Sequence, residues 1–546
     1  MKKLTVLLLV LAAALSLLVY SCKQDKTRQP RLVVGIVIDQ MRFDYLYRYY
    51  DHYSDRGFKR LLKQGMNFSY AQYNYVPTYT GPGHSSIYAG SVPYYTGISS
   101  NDWYDRKLRK TIYCVSDKNY KTVGADNESG MVSPNNLKVT TLGDELRMSN
   151  NGHSKVFAVS IKDRAAVLPG GHMANAAYWF DGKSGCFVTS SYYMKALPDW
   201  VNRFNSQQPG KKMMAGEWTL SLPMEDYMVA MPDSGAGESD VFREGKTTFP
   251  HSFAKIPETE KQEFLKSTPY GNELLTDFVI SLLENEKAGE GKFTDLLAIS
   301  YSSSDYVGHA YGPNSIEVMD TYIKLDHELA RLLDALDKAV GKGNYLLFLT
   351  ADHAVKPNLA YLQENKVPAG SLSTAVVQDS LAKFTRRLTG IKGIIDTLEG
   401  NQLYFNLPLL QHKNIDLHLL YSRLVPYLRE NFPQIADIYT HEDLEGKIPV
   451  RSMANFVLNG YYEARSGDLV FELAPNYLTE IGSHGTTHGA SYDYDSHVPL
   501  IFYGWHVEHG ESNREVYVED IAPTVASLIR VQEPNGTIGI PILPAK

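Results

Sequence analysis

The chain alternates between short, wholly apolar runs and longer amphipathic stretches. The first apolar run, LVVGIVID at 32–39, is followed by an amphipathic stretch over 44–65. Comparable apolar runs lie at 155–161, 295–301, 345–351 and 498–504. Because strands that are covered on both faces are apolar throughout, these runs predict the strands of a parallel sheet.

Helical periodicity separates the strands, most clearly at 272–286 and 315–340. The chain closes with EDIAPTVASLI, which predicts a helix with Asp520 near its start. This alternation of strands and helices indicates the α/β class, with a mostly parallel central sheet flanked by helices, over residues 31–546.

Two long segments, 180–270 and 357–470, interrupt the alternation and carry Gly- and Pro-containing loop signals. We interpret them as insertions that form a cap or side lobe beside the sheet. A separate second domain is the alternative for 370–460, because this stretch has helices and a strand-like run, NQLYFN, of its own.

Residues 1–22 have the pattern of an export signal: Lys2 and Lys3 precede an apolar stretch that ends near Val19. Ser21-Cys22 resembles a loose bacterial lipobox, in which Cys22 would carry a lipid anchor; ordinary cleavage nearby is the alternative, and both stay open. No later stretch approaches the roughly 18 continuous apolar residues of a membrane span. We therefore expect a periplasmic protein without a transmembrane helix, either free or anchored at the outer membrane through Cys22.

The 546 residues carry a formal net charge of −7, with both signs interspersed along the chain. Nucleic-acid-binding proteins concentrate lysine and arginine in a basic stripe, and the sequence has none, so we expect no nucleic-acid partner. We also expect a monomer. Besides Cys22, the sequence has Cys114 and Cys186. They are too few for a cysteine-based metal site, and whether they form a disulfide stays open.

Acids and histidines follow the predicted strands, at the edge where open parallel sheets bind their ligands. Asp39 ends the first strand. Asp305 and His309 follow the third, four residues apart, a spacing that places both on one face of a helical turn. Asp352 and His353 follow the fourth strand. The segment before the last strand supplies His484, His488 and His497.

Carboxylates and imidazoles together form a nitrogen and oxygen ligand set that suits Zn²⁺. The three acids and at least three histidines exceed the four positions of one tetrahedral ion. Two metal ions about 4 Å apart stabilise both the attacking and the leaving oxygen in phosphoryl transfer. The sequence therefore predicts a site for two zinc ions and for phosphoryl chemistry.

A candidate nucleophile lies in VPTYTGPGHSS at 76–86, which is too polar and too interrupted for a core segment. Thr80 precedes a helix-compatible run, where backbone N–H groups attract anions. A threonine hydroxyl needs a metal or a base to become a good nucleophile. In IKDR at 161–164, Lys162 and Arg164 would project to the same side of an extended segment and, with Asn101, would match a dianionic phosphoryl group.

The order of these residues resembles the alkaline phosphatase superfamily across the whole mature chain. The resemblance includes a late His-Gly before VPL and the closing DIAPTVASLI. The stretches TYTGPGHSS, NDWYD at 101–105, IKDR and HGTTHG resemble more closely the PafA-type, phosphate-irrepressible alkaline phosphatases of bacteria. This resemblance implies the fold of that superfamily and the hydrolysis of small phosphate monoesters.

The resemblance also implies a role for each candidate. Thr80 would be the nucleophile and would form a phosphothreonine intermediate. One zinc ion would bind the Thr80 oxygen and be held by Asp39, Asp352 and His353. The other would face the leaving group and later the attacking water, held by Asp305, His309 and His488. The phosphoryl oxygens would be gripped by Asn101, Lys162 and Arg164. His488 is preferred to His484 because the family's ligand precedes the VPL strand through a short loop.

Two other functions compete with the phosphomonoesterase. A nucleotide pyrophosphatase/phosphodiesterase of the same superfamily uses the same ligands, but a pair of cations at 162 and 164 favours the more highly charged monoester. A non-catalytic surface lipoprotein that binds glycans or proteins is the remote alternative, and the complete ligand set speaks against it. A sulfatase is disfavoured because residues 80–84 read TGPGH and lack the Cys/Ser-x-Pro-x-Arg motif.

Overall fold

The structure is a computed structural model that describes residues 29–445, 449, 452–479 and 484–543. The predicted export signal and Cys22 lie outside the described residues. Within those ranges, every helix is too short or too polar to cross a membrane.

The described residues form an α/β protein. The strands are β1 (Leu32–Ile38), β2 (Met66–Gln72), β3 (Asp102–Asp105), β4 (Lys110–Tyr113), β5 (Thr122–Val123), β6 (Val156–Ser160), β7 (Ala176–Asp181), β8 (Cys186–Ser190), β9 (Glu217–Trp218), β10 (His251–Ser252), β11 (Asp295–Tyr301), β12 (Tyr345–Thr350), β13 (Gly370–Leu372), β14 (Ile395–Glu399), β15 (Gln402–Phe405), β16 (Ile435–Thr440), β17 (Leu469–Leu473), β18 (Tyr477–Thr479), β19 (His497–Gly504), β20 (Gly510–Ser512) and β21 (Val516–Tyr517). The helices are α1 (Tyr45–Arg48), α2 (Phe58–Gln64), α3 (Thr80–Ala89), α4 (Pro93–Thr96), α5 (Leu142–Met148), α6 (Arg164–Gly170), α7 (Asp199–Ser206), α8 (Pro209–Met213), α9 (Lys261–Phe264), α10 (Tyr270–Glu286), α11 (Ser303–Tyr311), α12 (Ile316–Ala339), α13 (Leu359–Glu364), α14 (Thr374–Thr389), α15 (Leu407–His412), α16 (Leu417–Asn431), α17 (Met453–Gly460), α18 (Asp493–Ser496) and α19 (Ile521–Ile529).

The centre of the fold is an 11-stranded sheet in the order β20-β2-β19-β12-β1-β11-β6-β7-β8-β5, with β21 also beside β2. The neighbours from β12 to β7 are all parallel. Every residue of β1, β11 and β12 is buried, which explains why these strands are apolar throughout. Helices flank the sheet, and the predicted helices at 272–286 and 315–340 are confirmed as α10 and α12.

The last predicted strand, β19, runs antiparallel to β12, so its prediction as a parallel strand is wrong in direction. Thr350 pairs with Leu500, and Leu346 pairs with Gly504. The chain leaves β12 at the carboxyl edge of the parallel strands and returns to the same edge, so its next strand must run back. As a result, the loop before β19 lies at the edge where β1, β11 and β12 end.

The chain between β12 and β19 builds a second, smaller layer. We call the described residues between 357 and 479 the side lobe. Its antiparallel sheet has the order β14-β15-β17-β16. One face of this sheet packs with α14 and α16 in a hydrophobic core that is separate from the main one, through Leu403, Phe405, Leu469, Phe471 and Leu473. The segment 180–270 behaves differently at its start, because β8 extends the central sheet beside β7. The short β9–β10 pair is separate from that sheet.

Candidate active site

Three carboxylates meet because three strands end side by side. In the parallel register Ile38 lies opposite Tyr301, and Val37 lies opposite Thr350. Asp39 and Asp352 follow these strand ends within two residues, and Asp305 lies in the first turn of α11. All three side chains are at most 5 % exposed. The structure therefore brings together the acids that the strand pattern placed at one edge.

The predicted histidines join these acids in two overlapping groups. In the first, Nε2 of His309 is 3.2 Å and Nε2 of His488 is 3.7 Å from Oδ1 of Asp305. In the second, Nε2 of His353 lies 3.4 Å from Oδ1 of Asp39, and a carboxylate oxygen of Asp305 is also within reach. Within each group the potential ligand atoms lie within 4.8 Å of one another.

The remaining predicted ligand, Asp352, borders the second group. Its Oδ2 is 3.5 Å from Nε2 of His353. The rings of His353 and His488 stack with centroids 3.5 Å apart, so the two groups form one continuous cluster.

Backbone carbonyls fix the orientation of all three imidazoles. Nδ1 lies 2.8 Å from Thr486 O in His309, 2.7 Å from Thr78 O in His488 and 3.0 Å from Ala354 O in His353. A carbonyl oxygen only accepts hydrogen bonds, so each Nδ1 carries the proton and donates. The Nε2 atoms therefore face the carboxylates, as in metal-ligating histidines.

The cluster contains buried acceptor atoms with no donor between them. Among the described residues, Oδ1 of Asp39 and Nε2 of His353 are buried and have no hydrogen-bond partner. Oδ2 of Asp352 is also buried, and Nδ1 of His84 lies 3.3 Å from it, but that Nδ1 already donates to Thr80 O at 2.9 Å. Burial and the neighbouring Asp352 raise the pKa of Asp39 well above its ordinary value. Burial and the nearby His353 and His309 lower the pKa of His488. Acceptors that face one another without a donor are the environment that a bound cation satisfies, so the residues present fit metal binding.

Lys162 lies inside this cluster. Its Nζ is 2.7 Å from Oδ2 of Asp39 and 2.5 Å from Oδ2 of Asp305. Burial lowers the pKa of Lys162, but the two carboxylates outweigh burial and hold the pKa above its ordinary value. The ammonium group is therefore shared by two of the predicted metal ligands and balances at most one of their negative charges.

Arg164 lies on the other side of the same turn. The expectation of an extended IKDR segment is wrong, because β6 ends at Ser160 and Arg164 is the first residue of α6. Its Nη2 donates to Oγ1 of Thr80 at 3.3 Å, and its Nη1 donates to the hydroxyl of Tyr113 at 3.2 Å. Both cations reach the site, but they contact different partners.

Thr80 is the first residue of α3. The helix-compatible run at 84–90 predicted a later start for this helix. Pro82 is compatible with this start because the first-turn N–H groups of a helix have no intrahelical partner. A Cβ atom at Gly83 would lie 2.3 Å from the backbone oxygen of Asp352, so only glycine lets α3 approach this closely. The Thr80 side chain thereby faces Arg164 beside the cluster, with 1 % of the residue exposed.

Asn101 closes the site from the chain segment before β3. Its Oδ1 accepts from the backbone N–H of Gly81 at 2.7 Å. Because the carbonyl is engaged by α3, the amide N–H groups are the part of Asn101 that can meet a ligand. Asn101 and Thr80 line the same cleft.

Gln40, which belongs to no recognisable sequence motif, links two of the carboxylates. Its backbone N–H donates to Oδ1 of Asp352 at 3.2 Å, and its Nε2 donates to Oδ1 of Asp305 at 2.6 Å. Gln40 has a φ of 67°, a left-handed conformation that is uncommon outside glycine. Its position directly after Asp39 at a strand end was the only signal that the sequence offered.

His484, His497 and the two described cysteines lie outside the cluster, whereas Nδ1 of the buried His84 is 3.3 Å from Oδ2 of Asp352. His484 lines a separate surface cleft with Glu238 and Asp240. His497 is the first residue of β19 and stacks on Phe43, with centroids 4.5 Å apart. Cys114 and Cys186 are both free thiols, so the structure contains no disulfide between them.

A cleft of about 340 Å³ opens beside the cluster. Its inner end is lined by Thr80, Asn101, Arg164, Asp305, His309 and His488. Its outer end is lined mainly by the side lobe. The site thus combines a hydroxyl, a guanidinium group and a metal-compatible cluster around one space.

Comparisons with known proteins agree with this arrangement. The family profile described as type I phosphodiesterase / nucleotide pyrophosphatase matches residues 33–495. Alkaline phosphatase PafA of Elizabethkingia meningoseptica is 40% identical over 521 residues, which cover 95% of each chain. Alkaline phosphatase PhoV of Synechococcus elongatus is 42% identical and covers 94% of this chain and 92% of its own. A relative from Myroides odoratus, 39% identical over 95% of each chain, is named a calcium-transporting ATPase.

The crystal structure of alkaline phosphatase PafA superposes with a TM-score of 0.90 at 40% identity and covers 94% of this chain and 99% of that one. The likeness extends over nearly the full length of both proteins, so it includes the side lobe as well as the central sheet. This chain therefore belongs to the type I phosphodiesterase / nucleotide pyrophosphatase family and, within it, to the PafA-type alkaline phosphatases.

Proposed function

We propose that this protein is an exported alkaline phosphatase that hydrolyses phosphate monoesters with two bound zinc ions and a phosphothreonine intermediate at Thr80. One observation carries the proposal: Oγ1 of Thr80 lies 3.3 Å from the Arg164 guanidinium, at the inner end of a cleft walled by the Asp/His cluster. The names of the two alkaline phosphatase relatives support the same reaction class.

The metal would be held by the two halves of the cluster. Asp39, Asp352 and His353 would hold one ion beside Thr80, and Asp305, His309 and His488 would hold the other. When bound, the ions would supply positive charge that lowers the pKa of a nearby hydroxyl and of water. Gln40 and the carbonyls on each Nδ1 would keep the ligand atoms in place.

Thr80 would act as the nucleophile. The hydroxyl would release its proton to solvent as its Oγ forms a bond to phosphorus and the bond to the ester oxygen breaks. The leaving oxygen takes the electron pair of that bond and a proton from solvent. Water then attacks the phosphorus of phosphothreonine, which releases inorganic phosphate and restores the Thr80 hydroxyl. Arg164 and the amide of Asn101 would hold the phosphoryl oxygens through charge-assisted and neutral hydrogen bonds.

The competing function is phosphodiester hydrolysis, the reaction in the description of the family profile. Arg164 favours the monoester, because a monoester brings more negative charge to this end of the cleft than a diester does. Lys162 pairs with Asp39 and Asp305. It would help to bind the phosphoryl group only if bound metal took over these two carboxylates and freed its ammonium group.

The deciding experiment compares a nitrophenyl phosphate monoester with its methyl diester, using one zinc-loaded preparation. We expect the monoester to have the higher kcat/KM, chelation to abolish both activities, and added Zn²⁺ to restore them. Thr80→Ser should retain substantial activity and Thr80→Ala should lose most of it. Acid-quenched wild-type protein should carry phosphate on Thr80. A preferred diester, or full activity after chelation, would contradict the proposal.

Export and a monomeric state stay predictions. Cell fractionation tests the first, and the mass of the purified protein in solution tests the second.

A further inference from the structure

The outer wall of the cleft is one face of the side-lobe sheet. Side chains alternate across a strand, so β15 and β17 send every second residue to the lobe core. The residues between them face the other way. These line the cleft: Gln402, Tyr404, Val470 and Glu472. One face of the lobe sheet is therefore apolar and packs in the lobe core, whereas the face that lines the cleft carries both polar and apolar side chains.

The two ends of the cleft differ in charge. Arg164 is the one lysine or arginine among the described residues that line it, and it lies at the inner end beside Thr80. Outside the metal-compatible cluster, the acidic side chains that line it are Asp102, Glu399 and Glu472. Negative charge at the outer end attracts cations and repels anions in a site screened from solvent.

The positive groups behind this wall already have partners. Lys356 lies 4.0 Å from Asp495, and its Nζ donates to Tyr477 O at 3.2 Å. Arg106 pairs with Asp468 at 3.1 Å and stacks on the ring of Tyr404 at 5.0 Å. Neither lines the cleft, so the charged side chains that the lobe presents to the cleft are acidic, although Lys356 still acts on Glu472 from behind the wall.

Glu472 is the more buried of the two lobe carboxylates, with 4 % of the residue exposed. Burial raises its pKa to about 8, against the opposing effect of Lys356. Its carboxylate is therefore charged above about pH 8. Glu399 is partly exposed and accepts a hydrogen bond from Oγ1 of Thr111 at 2.9 Å, which holds it at the cleft.

An apolar patch lies beside these carboxylates. Val76, Val457, Tyr461 and Val470 pack together and also line the cleft. Apolar and aromatic surface next to a carboxylate is the chemistry that binds an alkylated ammonium group. A small anionic group meets no lysine or arginine at this end among the described lining residues.

We propose that the outer wall selects phosphate monoesters whose leaving group carries an alkylammonium charge, through Glu399 and Glu472, and disfavours leaving groups with additional negative charge. The proposal rests on the proposed function, because it assumes that the phosphoryl group is transferred at Thr80. The inner end holds the phosphoryl group, so the leaving group extends towards the lobe.

The test uses three esters at about pH 9: phosphocholine, 3,3-dimethylbutyl phosphate, which has the same shape without the charge, and 3-phosphooxypropanoate. The measured quantity is the ratio of kcat/KM for phosphocholine to that for the uncharged ester. Intrinsic reactivity differs between the esters, but it cancels when one ratio is compared between variants. We expect Glu399→Gln and Glu472→Gln each to lower the ratio by about three- to tenfold, as expected for loss of one partly screened charge.

Two further variants sharpen the test. Glu399→Lys should lower the ratio further and improve hydrolysis of 3-phosphooxypropanoate. Asp379→Asn is the matched control, because it neutralises an exposed acid on α14 of the same lobe that pairs with Lys383. Its ratio should equal that of the wild type. Inhibition by inorganic phosphate should be unchanged in all four variants, since phosphate occupies the inner end.

The outcomes separate the two proposals. If the wild type hydrolyses none of the three esters, or Thr80→Ala keeps its activity, the proposed function fails. If the wild type hydrolyses them and the ratio is the same in the Glu399 and Glu472 variants, the function stands and the charge selection is overturned. If Glu472→Gln does not fold, the partly exposed Glu399 variants alone decide the question.

Discussion

Lys162 and Arg164 are two positions apart, yet the structure assigns them different partners. Lys162 pairs with Asp39 and Asp305, whereas Arg164 contacts the candidate nucleophile Thr80. The two side chains therefore face different partners in this arrangement, and joint binding of the phosphoryl group by both cations stays a prediction. Arg164 contacts the Thr80 hydroxyl, where the proposed function places the phosphoryl group, and Lys162 pairs with two carboxylates that are proposed metal ligands.

Substitution of each cation by alanine should separate these roles. Arg164→Ala should lower kcat/KM for the monoester by about ten- to a hundredfold, the effect of losing a charge-assisted hydrogen bond, and the diester should lose less. Lys162→Ala should lower the thermal midpoint of chelated protein more than that of zinc-loaded protein, because metal replaces the lost positive charge. The measurements are the two specificity constants and melting curves with and without zinc. Equal loss of monoester and diester activity in Arg164→Ala would contradict this assignment.

The residue types at the site could be predicted because their chemistry is visible in the sequence. Asp39, Thr80 and Asp352 lie where strand ends and turns placed them. The role of Gln40 could not be predicted from the sequence. A glutamine that belongs to no motif has no recognisable function until the structure shows its two carboxylate partners. The bend after β6 could not be predicted either, because the two-residue spacing of Lys162 and Arg164 does not define a backbone conformation.

The antiparallel course of β19 is the main structural feature that hydrophobic periodicity could not supply. The pattern located the strand at 498–504, but an apolar run has no direction. The direction of β19 depends on the edge of the central sheet to which the chain returns after β12. The connecting segment, Ala351 to Ser496, is 146 residues long. In a wholly parallel sheet, the segment before this strand would lie at the opposite edge, far from Asp305. The antiparallel return is what delivers His488 to the cluster.

The side lobe is fastened to the central domain by Arg465. Its guanidinium stacks on Trp103 at 4.4 Å, and Nη1 donates to Asn136 O at 2.9 Å and to Gly97 O. The residue is 8 % exposed. A second contact, between Arg109 and Asp396, has the arginine 58 % exposed.

Loss of the buried contact should matter more than loss of the exposed one. Arg465→Ala should reduce the free energy of unfolding by about 2 kcal/mol, because buried hydrogen bonds from a charged group are lost. It should also raise KM for esters with large leaving groups more than for small ones. Arg109→Ala is the control and should change stability by less than about 1 kcal/mol, as for exposed ion pairs. Denaturant unfolding and KM values measure the effects of the two substitutions. Equal effects would contradict the proposal that Arg465 holds the side lobe on the central domain.

Several buried carboxyl groups should give the protein a pH-dependent stability. Burial raises the pKa of Glu519 to about 8 and that of Glu238 to about 9. Such groups stay protonated in the folded state while the unfolded chain has already released the proton. Their contribution to stability is therefore complete below the ordinary carboxyl pKa and is lost as the pH rises through about 8 to 9.

We expect the free energy of unfolding to fall between pH 6 and pH 9, by up to about 1.4 kcal/mol per pH unit for each such group. Glu519→Gln, which removes the ionisable group beside Asn74, should make this decline less steep. Glu430→Gln, at an exposed site on α16, should leave the slope unchanged. The check is denaturant unfolding of metal-loaded protein across this pH range. An identical slope in Glu519→Gln would show that the carboxyl is charged in the folded state.

Both junctions of the side lobe lie at one edge of the central sheet, so the lobe is a single continuous insertion in the chain. The residues proposed to handle the phosphoryl group precede it, and His488 follows it. A gene encoding such a protein thus holds its reaction chemistry and its leaving-group wall in separate blocks. A chimera that exchanges only the side lobe, between 357 and 479, keeps Asp352, His353 and His488 with the rest of the cluster and should inherit its turnover chemistry from one parent and its substrate preference from the other.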